Sequence, residues 1–206
     1  MTVEHIEVLV EEPSTEAALR TLLPVIIGDL SHEIYPYQCK HDLLAKLPAR
    51  LAGYANWLPE SWRIMVVVDR DDDDCTSLKQ KLEGVTAAAG LRTRAKAGQR
   101  TYSVINRLAI EELEAWYFGD WTAVRAVYPR VPASIPRRAA YRNPDAIAGG
   151  TWEAFERIMK RAGYFETGLR KIEAARRIAA KMNPMQNSSG SFQALQKSLT
   201  QMKSTS

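Results

Sequence analysis

Arg63-Ile64-Met65-Val66-Val67-Val68-Asp69-Arg70-Asp71-Asp72-Asp73-Asp74 is the stretch on which the fold turns. The run from Ile64 to Val68 is apolar throughout, which predicts a strand covered on both faces, as in a parallel sheet. It stops abruptly in five carboxylates within six positions, Asp69 and Asp71 to Asp74. Like charges this close repel, so they call for backbone amides, basic side chains or a hard divalent cation as compensation. A strand that delivers Asp-x-Asp at its carboxyl end is a common way to build a magnesium site for phosphoryl chemistry. Asp69 and Asp71 are two apart, so an extended backbone points both side chains the same way, toward one cation.

Working outward, Ile6 to Val10 reads as a short buried strand, and Pro13 opens a helix to about Ile27 that Ser14 or Thr15 is placed to cap. Ile34 to Gln38 reads as a second strand, which Pro36 confines to an edge. Leu43, Leu44, Leu47, Leu51 and Tyr54 mark a helix within residues 41–58. After the acid run, Asp74 or Thr76 caps a helix ending near Gly90. Further strands are expected at Leu91 to Ala95 and at Tyr102 to Leu108, the latter feeding a helix over Ala109 to Phe118. This alternation predicts an α/β fold: a mostly parallel Rossmann-like sheet with helices on both faces. Prolines 129, 132, 136 and 144 then break the chain into short pieces. Helices are expected over Trp152 to Arg161, Leu169 to Met182 and Phe192 to Met202, the last capped by Ser191. Residues 1–120 thus form the α/β domain, and residues 121–206 a helical C-terminal extension packed on the same core.

Charge divides along the same line. The first 120 residues hold 13 Lys/Arg against 19 Asp/Glu, and the remaining residues 15 against 5. The first half is suited to cations. The second is either a solvated helical face or a surface for a phosphate backbone. Arg137, Arg138 and Arg142, with Tyr141 among them, are the candidate nucleic-acid contacts; Lys171 and Arg176-Arg177 come second. No stretch approaches the roughly 20 apolar residues of a membrane span, no signal sequence is evident at the start, and Cys39 and Cys75 form no redox or metal motif. A cytoplasmic location is the expectation.

Three acidic clusters lie at strand ends or helix starts: Glu11/Glu12/Glu16, Asp69 to Asp74, and Glu111/Glu112/Glu114. Taken singly, each is more often structural, its acids facing the positive end of a helix. In a doubly wound sheet, however, the carboxyl ends of neighbouring strands meet along one edge, and this joint placement favours a shared cation. Glu111 and Glu114, three apart, share a helical face, whereas Glu112 points elsewhere. His5, His32 and His41 are scattered, and no nucleophile–base pattern emerges. Trp116, Tyr117, Phe118 and Trp121 read as a core ridge.

Leu9-Val10-Glu11-Glu12-Pro13-Ser14-Thr15-Glu16 resembles the hydrophobic-hydrophobic-Glu-Gly-x-Thr-Glu element of TOPRIM domains, the topoisomerase–primase fold, and Val66 to Asp71 resembles its Asp-x-Asp element. Together with Ala109 to Trp116 and Ser188 to Phe192, these segments are similar to a DUF-designated TOPRIM-like family, itself similar to the nuclease domains of OLD-type and RloB-like proteins. The resemblance covers most of the chain through short motifs. It implies a compact sheet holding Mg²⁺ or Mn²⁺, with Glu11 as general acid/base or ligand, Asp69 and Asp71 as the metal pair, and Glu111 or Glu114 as a further ligand. The glycine expected after the glutamate is Glu12 here, so Glu12 shares or replaces the role of Glu11. Relatives of this kind are often encoded beside AAA or SMC-like ATPases in phage-defence systems, which makes such an ATPase the expected partner.

The expected function is therefore a metal-dependent nuclease or phosphoryl-transfer enzyme acting on DNA or RNA. The alternative is a non-enzymatic regulatory or interaction subunit. A haloacid-dehalogenase-type phosphohydrolase fits less well, because its Asp-x-Asp follows an early strand and is not followed by further acids.

Overall fold

The computed structural model describes residues 2–98, 100–110 and 112–204. Four strands, β1 (His5–Val10), β2 (Ser31–Pro36), β3 (Trp62–Asp69) and β4 (Val104–Ala109), form one sheet in the order β2-β1-β3-β4. Every pairing is parallel. The helices between them are α1 (Pro13–Ile27), α2 (Lys40–Ala55), α3 (Cys75–Ala88) and the short α4 (Arg94–Ala97). The chain moves outward from β1 to β2, then crosses back through α2 to β3 on the other side of β1. The direction of winding thus reverses between β1 and β3, where ligands bind open α/β sheets.

Alternation along the strands builds two cores. Ile6, Val8 and Val10 of β1 and Met65 and Val67 of β3 pack on one face with Leu19, Leu22 and Leu23 of α1. Leu9 of β1 and Ile64, Val66 and Val68 of β3 pack on the other with Leu43, Leu47 and Leu51 of α2 and Leu78 and Leu82 of α3. β3 is therefore apolar at every position from Ile64 to Val68 because both its faces are covered. β2, whose Pro36 lacks a ladder donor, lies at the edge.

The rest of the chain is helical: α5 (Glu114–Gly119), α6 (Trp121–Val127), three 3-10 turns between Ile135 and Ala146, α7 (Thr151–Arg161), α8 (Lys171–Ala179) and α9 (Gly190–Ser204). These elements thicken the first core, which runs continuously from Val3 to Met202. Trp116, Tyr117, Phe118 and Trp121 are buried there as an aromatic ridge against Phe155 and Phe192. Among the described residues no helix is long and apolar enough to cross a membrane.

Four local expectations are corrected. Leu91 to Ala95 is not a strand: Thr93 makes a single bridge to Val104 and the chain turns into α4. Leu91 and its neighbours Arg92 and Arg94 are at least partly exposed, so the segment lacks the apolar face that repays ordering a strand. The helix expected from Ala109 begins only at Glu114, because Ala109 is held in register opposite Asp69 at the end of β4. Sheet pairing overrides helical periodicity there. Neither Ser14 nor Thr15 caps α1; Glu12 is the capping position and Pro13 fills the first turn. In α9 the cap is Ser189, whose hydroxyl accepts the Phe192 N–H at 3.2 Å, while Ser191 lies inside the first turn. Asp74 does cap α3, accepting the Ser77 N–H at 2.8 Å.

Candidate metal centre

Parallel pairing of β1 with β3 delivers Glu11 and Asp69 to the same edge of the sheet. The backbone N–H of Asp69 donates to Glu11 Oε2 at 2.9 Å, across 58 residues of sequence. Asp69 is the last residue of β3 and is buried; its Oδ1 has no hydrogen-bond partner among the described residues. Asp71 arrives by a different route from the one its spacing suggests. The strand ends at Asp69, and Asp71 adopts a left-handed conformation, with φ at 47°. Such a conformation is uncommon for a residue with a side chain, though Asp tolerates it better than most. A turn, not continued extension, brings its carboxylate back. Glu11, Asp69 and Asp71 each then offer an oxygen within 4.8 Å of the others.

The electrostatics follow from that crowding. Burial raises the Glu11 carboxyl to about 7; the Asp69 N–H and Lys40 oppose the rise, and Asp71 and Glu12 add to it. Asp69 is held well above the usual carboxylate range by burial first, then by Glu11, Glu12, Glu114 and Asp71. The buried Glu7, by contrast, has both oxygens engaged: it accepts from Tyr54 Oη at 2.5 Å and contacts His5 Nε2 at 3.0 Å. An orphaned, buried oxygen beside two further carboxylates is the donor set that a hard divalent cation takes. The residues therefore fit such an ion.

The family described as Domain of unknown function (DUF4276) matches residues 10–200. The chain belongs to this family. No curated protein and no solved structure matches it. The span matched by DUF4276 starts at the end of β1 and takes in all the residues of the centre.

Two lysines flank the carboxylates of this DUF4276 chain: Lys40, which sequence reasoning missed, and Lys171, which it placed among the second-choice phosphate contacts and not beside the acids. Lys40, at the start of α2, places its Nζ 2.6 Å from Asp71 Oδ2, 2.8 Å from Asp73 Oδ2 and 2.9 Å from the Arg70 carbonyl. It follows the carboxyl end of β2, so the rule that gathers strand ends on one edge would have flagged it. Lys171, at the start of α8, had no such signal. Its Nζ lies 3.8 Å from Glu12 Oε2 and 5.4 Å from the Trp152 ring centre. Burial works against its charge, but Glu114, Glu12, Glu112 and Asp69 together hold its ammonium above its ordinary value.

The other expected site residues separate in role. Glu12 is half-buried, accepts the Ser14 hydroxyl and faces Lys171. Glu114 is not one of the three close carboxylates but sits behind them, fully buried, with Oε2 unpartnered among the described residues. Its burial raises it to about 7, with Lys171 opposing and Glu112 and Glu12 adding. Glu112 is occupied by structure: its Oε2 accepts the Thr151 hydroxyl at 2.9 Å and the Trp152 N–H at 2.8 Å, capping α7. Glu111 lies outside the described residues. Beside the centre, Asp71, Asp72, Glu112, Gly149, Gly150 and Glu153 line an open hollow of about 460 Å³. A β-carbon at Gly150 would collide with the Glu153 carboxylate, and its φ of 85° also favours glycine. Arg137, Arg138 and Arg142 are exposed on the 3-10 turns between α6 and α7.

Proposed function

We propose that this DUF4276 chain is a divalent-metal-dependent phosphoryl-transfer enzyme, namely a nuclease of TOPRIM-like kind. The observation that carries the reading is the convergence of Glu11, Asp69 and Asp71, from two separate segments, around a buried unpartnered oxygen. The order of the elements agrees with it: a glutamate follows the first strand and an Asp-x-Asp follows the third, beside the switch point. Glu11, Asp69 and Asp71 would hold Mg²⁺ or Mn²⁺. When bound, the ion supplies Lewis-acid polarisation of a phosphate oxygen and acidifies a water.

The protein's own groups do the rest. Without the ion, burial places the proton affinity of Glu11 near neutral, so an ion held there would displace a proton near pH 7. Lys171 and Lys40 put ammonium groups on two sides of the acid cluster, where a phosphate carrying negative charge needs them. The basic excess of residues 121–206 provides for the polyanionic strand. An AAA or SMC-like ATPase acting in phage defence is the partner we propose, tested by co-purification with the product of a neighbouring ATPase gene.

The test is Mn²⁺ titration by calorimetry, with cleavage assays on single- and double-stranded DNA and RNA. Asp69→Ala should lose both metal binding and cleavage while retaining its circular dichroism spectrum. Unchanged titration in that variant refutes the assignment.

One observation favours a second reading, a non-enzymatic regulatory or interaction subunit. Lys40 already neutralises Asp71 and Asp73, as a permanent counter-charge would. Wild-type protein that binds no Mn²⁺ yet keeps its biological function selects that reading.

A further inference from the structure

The helical half carries a second charged hollow, at the opposite end of α7 from the acid cluster. Arg130, Arg138 and Arg161 line it, together with Tyr141, Ile135 and Ile158, and none of its lining residues is acidic. Three like charges around one small cavity repel one another unless an anion sits among them. Several other basic residues of this half have carboxylates close by. Lys160 meets Glu156 at 3.2 Å, and Arg170 and Arg177 meet Glu173 at 3.0 and 3.3 Å. Arg130 is fixed, donating to the Gly163 carbonyl at 2.6 Å and lying 4.2 Å over the Tyr164 ring. Arg138 and Arg161 are exposed and have no acidic partner among the described residues. Tyr141 is held rigid by stacking on Phe118, 7° from parallel.

Size and charge narrow the ligand. The cavity is about 230 Å³, below the roughly 300–1,000 Å³ of sites that engulf a whole small molecule. It therefore takes one group. A phosphodiester carries a single negative charge, whereas a phosphate monoester carries about −1.5 to −2, the better match to several guanidinium groups. The 11 residues of α7 separate this hollow from the Glu112-capped end by about 15 Å at ~1.5 Å per residue. That is about four steps along a nucleic-acid strand at ~3.4 Å each.

We propose that the Arg130/Arg138/Arg161 hollow binds the terminal phosphate monoester of a nucleic-acid strand, and so sets how far from the strand end the acid cluster acts. The proposal rests on the nucleic-acid reading above. The experiment is fluorescence anisotropy in EDTA, with one oligonucleotide sequence carrying a 5′-phosphate, a 3′-phosphate or hydroxyls only. Wild type should prefer one phosphorylated form about tenfold. Arg138→Ala and Arg161→Ala should each reduce that preference, and the double variant should abolish it. Arg142→Ala should weaken all three oligonucleotides alike. Folding of each variant is checked by thermal melting.

Equal binding of all three oligonucleotides by wild type, or no binding, overturns the proposal, as does a preference that survives the double variant. Millimolar inorganic phosphate competing as well as the phosphorylated strand overturns the strand-end assignment in favour of a free phosphate ligand. Because EDTA removes the metal, binding without end preference sinks this pocket alone. An end preference without Mn²⁺-dependent cleavage sinks the nuclease reading alone.

Discussion

Replacing Glu11 with glutamine separates the cost of the acid cluster from its use. The side-chain oxygen that accepts the Asp69 N–H at 2.9 Å is retained as an amide oxygen, so shape and hydrogen bond persist while the ionisable group is lost. In the folded wild type this carboxyl is raised to about 7, against the ordinary glutamate value of 4.5 at which it titrates unfolded. Below about pH 4 both states hold the proton and the difference has no effect. Between about pH 4.5 and 7 the unfolded chain gives up its proton while the folded one keeps it, so stability falls as pH rises. Above about pH 7 the full penalty is present, about 3 kcal/mol at ~1.36 kcal/mol per tenfold change in proton affinity. For a chain of 206 residues, that corresponds to roughly 6–12 °C in Tm.

Glu11→Gln should therefore melt higher than wild type at pH 8 in EDTA, and the gap should shrink to about 1 kcal/mol at pH 5. Saturating Mn²⁺ reverses the ranking. Wild type gains about 4.1 kcal/mol at a metal concentration about 1,000-fold over Kd, more than the penalty of about 3 kcal/mol, and the variant, lacking a ligand, gains little. Differential scanning fluorimetry over that pH range, with EDTA or Mn²⁺, reads both arms. An offset between the two proteins that is equal at pH 5 and pH 8 would refute the electrostatic reasoning. Equal stabilisation of both proteins by Mn²⁺ would refute the assignment of Glu11 to the metal.

Three further outcomes are expected. Lys40→Met removes the ammonium that competes for Asp71 and Asp73 and should tighten Mn²⁺ binding severalfold, about 1 kcal/mol given the exposure of both acids; weaker binding by calorimetry would instead show that Lys40 holds the acids in place for the ion. Asp145→Ala strips the carboxylate that accepts from Ser189 Oγ at 2.7 Å and from Ser191 N at 2.9 Å, and should cost about 2 kcal/mol of stability, read as a lowered urea midpoint. Gly119→Ala drives a β-carbon into the Asn187 side chain and to 2.8 Å from the Ser189 nitrogen; a loss of about 1–3 kcal/mol is expected, and an unchanged melting curve would show that this loop yields freely.

Some of this molecule follows from its residues read in order. The apolar run into Asp69 reports a strand covered on both faces, because only burial on both sides favours five consecutive apolar positions. Pro36 sets an edge strand, since it has no N–H for the ladder. Strand ends carrying Glu11 and Asp69 declare the acidic edge of the sheet, because parallel connections force those ends to the same side. Tertiary structure alone decided that β1 and β3 lie next to each other, which sets the 2.9 Å contact between residues 58 apart. It likewise decided that Asp71 returns through a left-handed turn, that Ala109 stays in the sheet, and that Lys171 of the helical half reaches Glu12. Periodicity in a sequence records which face of an element is buried. Which distant face covers it, and which charges that brings together, depends on strand order and packing, which local patterns do not encode.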